Sequence, residues 1–163
     1  MDPQPDDIVF RVLDHHSERD ALVPLIAASR AAALRALPIG WTDWPAEVAA
    51  VLTDHRMWLA QFALRGERVV GLKLGYAVRR TRFYSWIGGV DPAFRRRGIA
   101  RHLMAEQHRW CAGQGIETVE TSTTNDHRGM LLLNVAAGFD VVGSKSTAGR
   151  LSILLEKRLT PAG

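Results

Sequence analysis

Several broad classes are closed to this chain by what it does not contain. It has a single cysteine, Cys111, among 163 residues, so no intrachain disulfide can form. Cys111 falls on the apolar stripe of a helical pattern and reads as a buried thiol rather than a nucleophile. The start, Met1-Asp2-Pro3-Gln4-Pro5-Asp6-Asp7, has neither the basic beginning nor the apolar run of a secretory signal. Arg or Pro interrupts every apolar run well short of a bilayer's width. These absences predict a cytoplasmic protein with no membrane partner. There is no internal repeat and no low-complexity linker, so residues 1–163 read as one domain. No His, Cys, Asp and Glu set has metal-ligand spacing; His102 and His108 read as surface residues of a helix. No Ser-His-Asp set stands out either. The net charge is +4, but the arginines gather locally at Arg95–Arg97 and Arg79-Arg80. A gathered cluster suits one polyanionic ligand better than a nucleic-acid footprint.

What is present is a run of strand and helix signals. Ile8–Leu13 reads as a first strand. Ser17-Glu18-Arg19-Asp20 has capping-box form, and an Ala- and Leu-rich helix follows to Leu37, kinked or restarting at Pro24. Leu37-Pro38-Ile39-Gly40 ends it. A second helix starts near Pro45 and runs to Asp54. Met57–Leu64, Arg68–Val78 and Phe83–Val90 form a meander of three strands. Gly98–Cys111 is a central helix with Ile99, Ala100, Leu103 and Met104 at helical spacing. Thr118–Thr123 is a β-branched strand. Asn125 opens a last helix, Asp126–Ala137, closed at Gly138-Phe139. Two strands, Phe139–Gly143 and Leu151–Lys157, finish the chain, with Ser144–Arg150 as a loop.

Between the Phe83–Val90 strand and the central helix lies Asp91-Pro92-Ala93-Phe94-Arg95-Arg96-Arg97-Gly98. A helix's first N–H groups lack intrahelical partners, and the helix dipole adds positive potential there. Gly98 removes a Cβ that would hold a phosphate away from the backbone. The arginines supply countercharge. The turn is therefore an anion site by elementary physics, or else a solvated basic turn.

The stretch Arg95-Arg96-Arg97-Gly98-Ile99-Ala100 resembles the acyl-CoA-binding motif of the GCN5-related N-acetyltransferase (GNAT) family, Gln or Arg, two residues, Gly, one residue, Gly or Ala. The Val90-Asp91-Pro92 strand end before it and the amphipathic helix after it strengthen the resemblance. It implies a three-layer α/β fold, with a mixed, mostly antiparallel sheet of about seven strands and about four helices. It implies transfer of an acetyl group from acetyl-CoA, without a metal, to a primary amine of a small molecule or peptide by direct attack in a ternary complex. Homodimers are common in that family. A non-catalytic acyl-CoA-binding or sensor module is the alternative.

The resemblance also assigns residues. Arg95, Arg96, Arg97, Gly98, Ile99, Ala100 and Arg101 would hold the pyrophosphate. Gly89 and Val90 would align the thioester, with a backbone N–H near Val90 in an oxyanion role; Gly88-Gly89 would mark a β-bulge, or merely a glycine-rich strand end. Asn125 and Asn134 would contact the pantetheine end. The family usually has a proton-donating tyrosine at the position of Asn134, and asparagine has no ionisable proton near neutral pH. Glu120, as a base or as a solvated carboxylate, and Asp43 are the candidates for taking the amine proton. Trp41, Asp43 and Trp44 form either an acceptor wall or the edge of the core.

Overall fold

The structure is a computed structural model that describes residues 8–33 and 42–161. Its centre is a seven-stranded sheet: β1 (Ile8–Asp14), β2 (Trp58–Arg65), β3 (Arg68–Arg79), β4 (Arg82–Val90), β5 (Thr118–Thr123), β6 (Asp140–Thr147) and β7 (Arg150–Arg158). The order is β1-β2-β3-β4-β5-β7-β6. Only β4 and β5 pair in parallel; the other neighbours are antiparallel. The described residues hold five α-helices: α1 (Leu22–Ala28), α2 (Arg30–Ala33), α3 (Trp44–Asp54), α4 (Ile99–Gly113) and α5 (Arg128–Ala136). None of them is long and apolar enough to cross a membrane.

Three buried clusters hold the layers together. Leu22, Ile26, Val48 and Leu52 of α1 and α3 cover one sheet face, against Phe62, Leu72, Leu74 and Ile87. On the other face Met104 and Cys111 of α4 meet Phe83, Val119 and Leu155. Ile99 and Leu103 at the start of α4 meet Val70, Val90 and Phe94. Gly71 and Gly75 permit close packing here. A Cβ on Gly71 would lie 2.9 Å from Ile99 Cγ2, and one on Gly75 2.3 Å from the Phe83 ring.

Five local expectations change, besides that for His108, which is buried rather than on the helix surface. The first helix breaks at Ser29, not at Pro24. Pro24 lies in the first turn of α1, where no N–H partner is needed. Ser29 is buried and donates its hydroxyl to the Leu25 carbonyl (2.7 Å), and α2 restarts after it. Ser17 does not form a capping box: its Oγ accepts from the Asp14 N–H (3.0 Å) and closes a turn after β1. The α5 helix begins at Arg128, because the His127 N–H bonds the Thr124 carbonyl in a separate turn. Ser144–Thr147 is strand, paired with Arg150–Ile153. The hairpin turns at Ala148 and Gly149 with φ of 49° and 76°, the left-handed pair that a two-residue turn needs. The whole of β6 is exposed, so no apolar alternation announced it. The fifth change, the bulge in β4, belongs to the site. Leu37-Pro38-Ile39-Gly40 and Trp41 lie outside the described residues.

Candidate active site

The basic turn follows β4 directly. Asp91 anchors it: its N–H bonds the Val70 carbonyl (2.8 Å). Its buried carboxylate accepts from the Ala93 N–H (3.0 Å) and from Arg68. Burial alone would raise this carboxyl, but the Ala93 amide and Arg68, with Arg95 beyond, hold it below the ordinary range. Pro92–Phe94 forms one 3-10 turn, and the Phe94 ring is 6% exposed. The guanidiniums of Arg65, Arg68 and Arg97 stand 5.6, 5.3 and 5.2 Å from its centroid. The aromatic face thus gathers cations before any ligand arrives.

Arg95, Arg96 and Arg97 are exposed, and Arg95 Nε donates to the Val90 carbonyl (3.3 Å). Arg96 has φ 60° and Gly98 φ 78°. A Cβ on Gly98 would meet no protein atom within 4 Å, so within the protein it is the left-handed backbone that asks for glycine. The first α4 bond runs from the His102 N–H to the Gly98 carbonyl (2.9 Å). The N–H groups of Ile99, Ala100 and Arg101 precede it and lack an intrahelical acceptor.

Beside this turn the sheet opens. β4 and β5 pair only over Arg82–Tyr84 and Thr118–Glu120. Past that point they part. The register shift in β4 sets Ser85 opposite Gly75 and Ile87 opposite Leu74, leaving Trp86 as the extra residue. The bulge is therefore at Trp86, and Gly88, Gly89 and Val90 pair regularly with Lys73, Leu72 and Gly71. The two glycines serve separate layers. A Cβ on Gly89 would lie 2.0 Å from the Ala32 carbonyl oxygen, so Gly89 admits α2. Gly88 faces the opposite side, beside Lys73. The vertex is tied by side chains where the ladder stops: Thr121 Oγ1 donates to the Ser85 carbonyl (2.9 Å), and Tyr84 Oη lies 2.9 Å from Ser122 Oγ. Because the Asp91 N–H turns to β3, strand alternation turns the Val90 N–H away, toward the parted edge.

A cleft lies between β4 and the two helices of that face. Its lining includes Lys73, Gly88 and Gly89, Ala100 and Met104 of α4, and Met130 and Leu133 of α5. Sequence reasoning overlooked Lys73, whose signal was a lone charge in the run Val69-Val70-Gly71-Leu72-Lys73-Leu74. Asn134 is 4% exposed, in the last turn of α5. Asn125 is exposed in the turn before that helix.

Glu120 stands at the vertex. Its Oε2 accepts from Arg82 Nε (3.1 Å) and Nη2 (2.7 Å), and Arg82 also contacts Glu156. That oxygen is thus taken up by the Arg82 guanidinium. On the α1–α3 side, Tyr76 stacks on His55 (centroids 3.7 Å apart). It meets Tyr84 and Trp86 edge-on at 5.8 and 5.6 Å. The sequence did not single out this aromatic group. Trp44 packs against the core on the same side, as the core-edge reading expects, and Asp43 is exposed at the start of α3 without a side-chain cap bond.

Comparison with known proteins adds the following. Residues 4–127 match the family described as the acetyltransferase (GNAT) domain. No curated protein sequence matches. Among solved structures, the chain is similar to the ribosomal-protein-S18-alanine N-acetyltransferase from Escherichia coli, with TM-score 0.73, 17% identity and 96% of each chain covered. It is similar to aminoglycoside 6'-acetyltransferase type Ii, with TM-score 0.74, 18% identity, and 95% of this chain and 99% of that one covered. A GNAT family acetyltransferase from Elizabethkingia anophelis with acetyl-CoA bound gives TM-score 0.66 at 15% identity, covering 94% of this chain and 99% of that one. At these identities the likeness speaks for the fold.

Proposed function

The chain belongs to the GNAT acetyltransferase family, and from that premise we propose that it moves an acetyl group from acetyl-CoA to a primary amine of a small molecule or peptide. The observation that carries this reading is the parting of β4 from β5 beside the arginine-rich start of α4. A strand edge left unpaired next to an anion cradle suits a ligand that is a polyanion at one end and an extended amide chain at the other. In this reading the amides from Arg96 to Arg101 and the side chains of Arg95–Arg97 take the pyrophosphate. The arm follows the cleft past Ala100, with Asn125 and Asn134 near its far end. The Val90 N–H, beside Gly89, polarises the thioester carbonyl and stabilises the oxyanion formed on attack.

The amine nitrogen attacks the carbonyl carbon directly in a ternary complex. No step passes through a metal. An ammonium must first lose a proton. Asp43, exposed and uncapped, serves this better than Glu120, which Arg82 occupies. The aromatic group of Tyr76, Tyr84 and Trp86 borders the vertex from the α1–α3 side. With Trp44, and with Trp41 beyond the described residues, it would contact the acceptor's apolar part. The similar structures include a ribosomal-protein-S18-alanine N-acetyltransferase and an aminoglycoside 6'-acetyltransferase, so both peptide and small-molecule amines belong in the test.

The test is thiol release from acetyl-CoA across aminoglycosides, polyamines, amino acids and peptide N-termini, with calorimetric titration of acetyl-CoA alongside. Binding with turnover by one amine class is expected. Absence of acetyl-CoA binding would overturn the reading. The burial of Asn134, which has no ionisable proton, favours a second reading, an acyl-CoA-binding module; binding without turnover by any amine supports it.

A further inference from the structure

Lys73 is an unusual tenant of a sheet centre. It is 8% exposed on a strand whose neighbouring residues are apolar, and its Nζ makes no hydrogen bond among the described residues. An ammonium so buried costs several kcal/mol and adds nothing to the fold. Its position says what it faces. Lys73 is the cross-strand partner of Gly88, and a Cβ on Gly88 would lie 3.5 Å from Nζ. The side chain therefore runs over the glycine into the cleft bounded by α4 and α5.

We infer that Lys73 is the proton donor to the thiolate that leaves when the thioester is cleaved, an inference that rests on the acyl-transfer reading above. The amine nitrogen forms the new C–N bond as the carbonyl electrons move to oxygen. The intermediate collapses, the C–S bond breaks, and its electron pair goes to sulfur. A proton passes from Lys73 Nζ to that sulfur, giving the free thiol. The proton lost from the amine nitrogen restores the ammonium through solvent, so the cycle consumes none.

The surroundings fit this duty. Burial, offset slightly by Cys111, lowers the Lys73 pKa to about 8, close to that of an ordinary thiol at about 8.5. Transfer to sulfur is then nearly balanced, where general-acid catalysis works best. The titratable groups facing it are His108 and Cys111 of α4, with Lys157 of β7 at 3.3 Å from His108 Nδ1. Burial, Lys157 and Lys73 push His108 down to about 3, and burial pushes Cys111 up to about 12. Both stay neutral near pH 7. The strand on the other side of Lys73 offers the neutral Gln61, β4 the two glycines, and α5 Met130 and Leu133.

The test compares Lys73→Met and Lys73→Arg with the wild type, using acetyl-CoA and the best amine of the panel. Calorimetric binding of acetyl-CoA is read separately, so that failure of the acyl-CoA reading shows as lost binding by the wild type itself. With binding intact, both variants are expected to lose about 10²-fold or more in kcat, with the KM for acetyl-CoA little changed. Arginine should not rescue, because its guanidinium does not release a proton in this range. The wild-type kcat should fall on an alkaline limb near pH 8 that the Met variant lacks. Should Lys73→Met prove unfolded by circular dichroism, the Arg variant and the wild-type alkaline limb decide. Wild-type-like turnover by either variant would overturn the inference. So would acetylation of Lys73 itself on incubation with acetyl-CoA alone, seen as an acetyl adduct by mass spectrometry.

Discussion

His108 is the residue whose titration should be easiest to read in stability. Its folded pKa lies near 3, below the ordinary value of 6.5. The unfolded chain therefore takes up this proton first as the pH falls. The His108 contribution is intact above about pH 6.5 and is lost progressively toward pH 3. The Asp91 carboxyl, also held low, adds a second loss below its ordinary value near 3.8. In urea titrations from pH 7 to pH 4, His108→Gln should show a shallower decline than the wild type. Equal slopes would mean that His108 is not buried as a neutral ring. At Gly98 the left-handed φ predicts that Gly98→Asn folds almost as well as the wild type. Gly98→Val should cost about 1–3 kcal/mol in urea unfolding. Gly98→Glu should keep the fold and lose acetyl-CoA binding, since its carboxylate would stand in the anion cradle.

At the scale of elements, α2 rests on β4 because Gly89 has no side chain. A Cβ there would stand 2.0 Å from a backbone oxygen of Ala32, and neither backbone can rotate aside. Gly89→Ala should lower stability by about 1–3 kcal/mol, measured by chemical denaturation. Gly88→Ala would meet nothing nearer than Lys73 Nζ at 3.5 Å and should be much milder. This difference between adjacent glycines was not legible in the sequence. Pattern reading recovered the meander and the central helix because each buries one face against a neighbour. It missed the end of β6, which buries neither face, and misplaced the helix break, since Pro24 and Ser29 act through position rather than residue type. Its expectations for the Arg95–Arg101 turn rest on local spacing. Strand pairing alone sets Lys73 beside Gly88 and Tyr76 beside Tyr84, and helix packing brings Met130 to the cleft; no short-range pattern reports either.

For the whole molecule, the guanidiniums of Arg65, Arg68 and Arg97 converge on one ring while Arg95 and Arg96 stand nearby. A bound polyanion would relieve their mutual repulsion. Acetyl-CoA at a hundred times its dissociation constant should add about 2.7 kcal/mol of stability. For a chain of this size that is a rise in Tm of about 5–11 °C, checked by thermal unfolding with and without acetyl-CoA. The shift should shrink in 1 M salt, where charge screening acts within about 3 Å. A shift independent of salt would mean that the arginines take no part in binding.

The single extra residue at Trp86 governs more than the width of the opening. Before it, Phe83 points to the α4 layer; after it, Ile87 points to the α1–α3 layer and Val90 to α4. An odd-numbered side chain and an even-numbered one thus exchange layers at one position, a change of parity in the pleat. Removing Trp86 would not simply shorten β4. It would make Ser85 and Ile87 neighbours opposite Gly75 and Leu74, a regular ladder in which Gly88, Gly89 and Val90 keep their present layers. Substitutions at Trp86 leave the bulge intact and should be survivable, whereas deletion of this one residue would straighten β4 where it parts from β5.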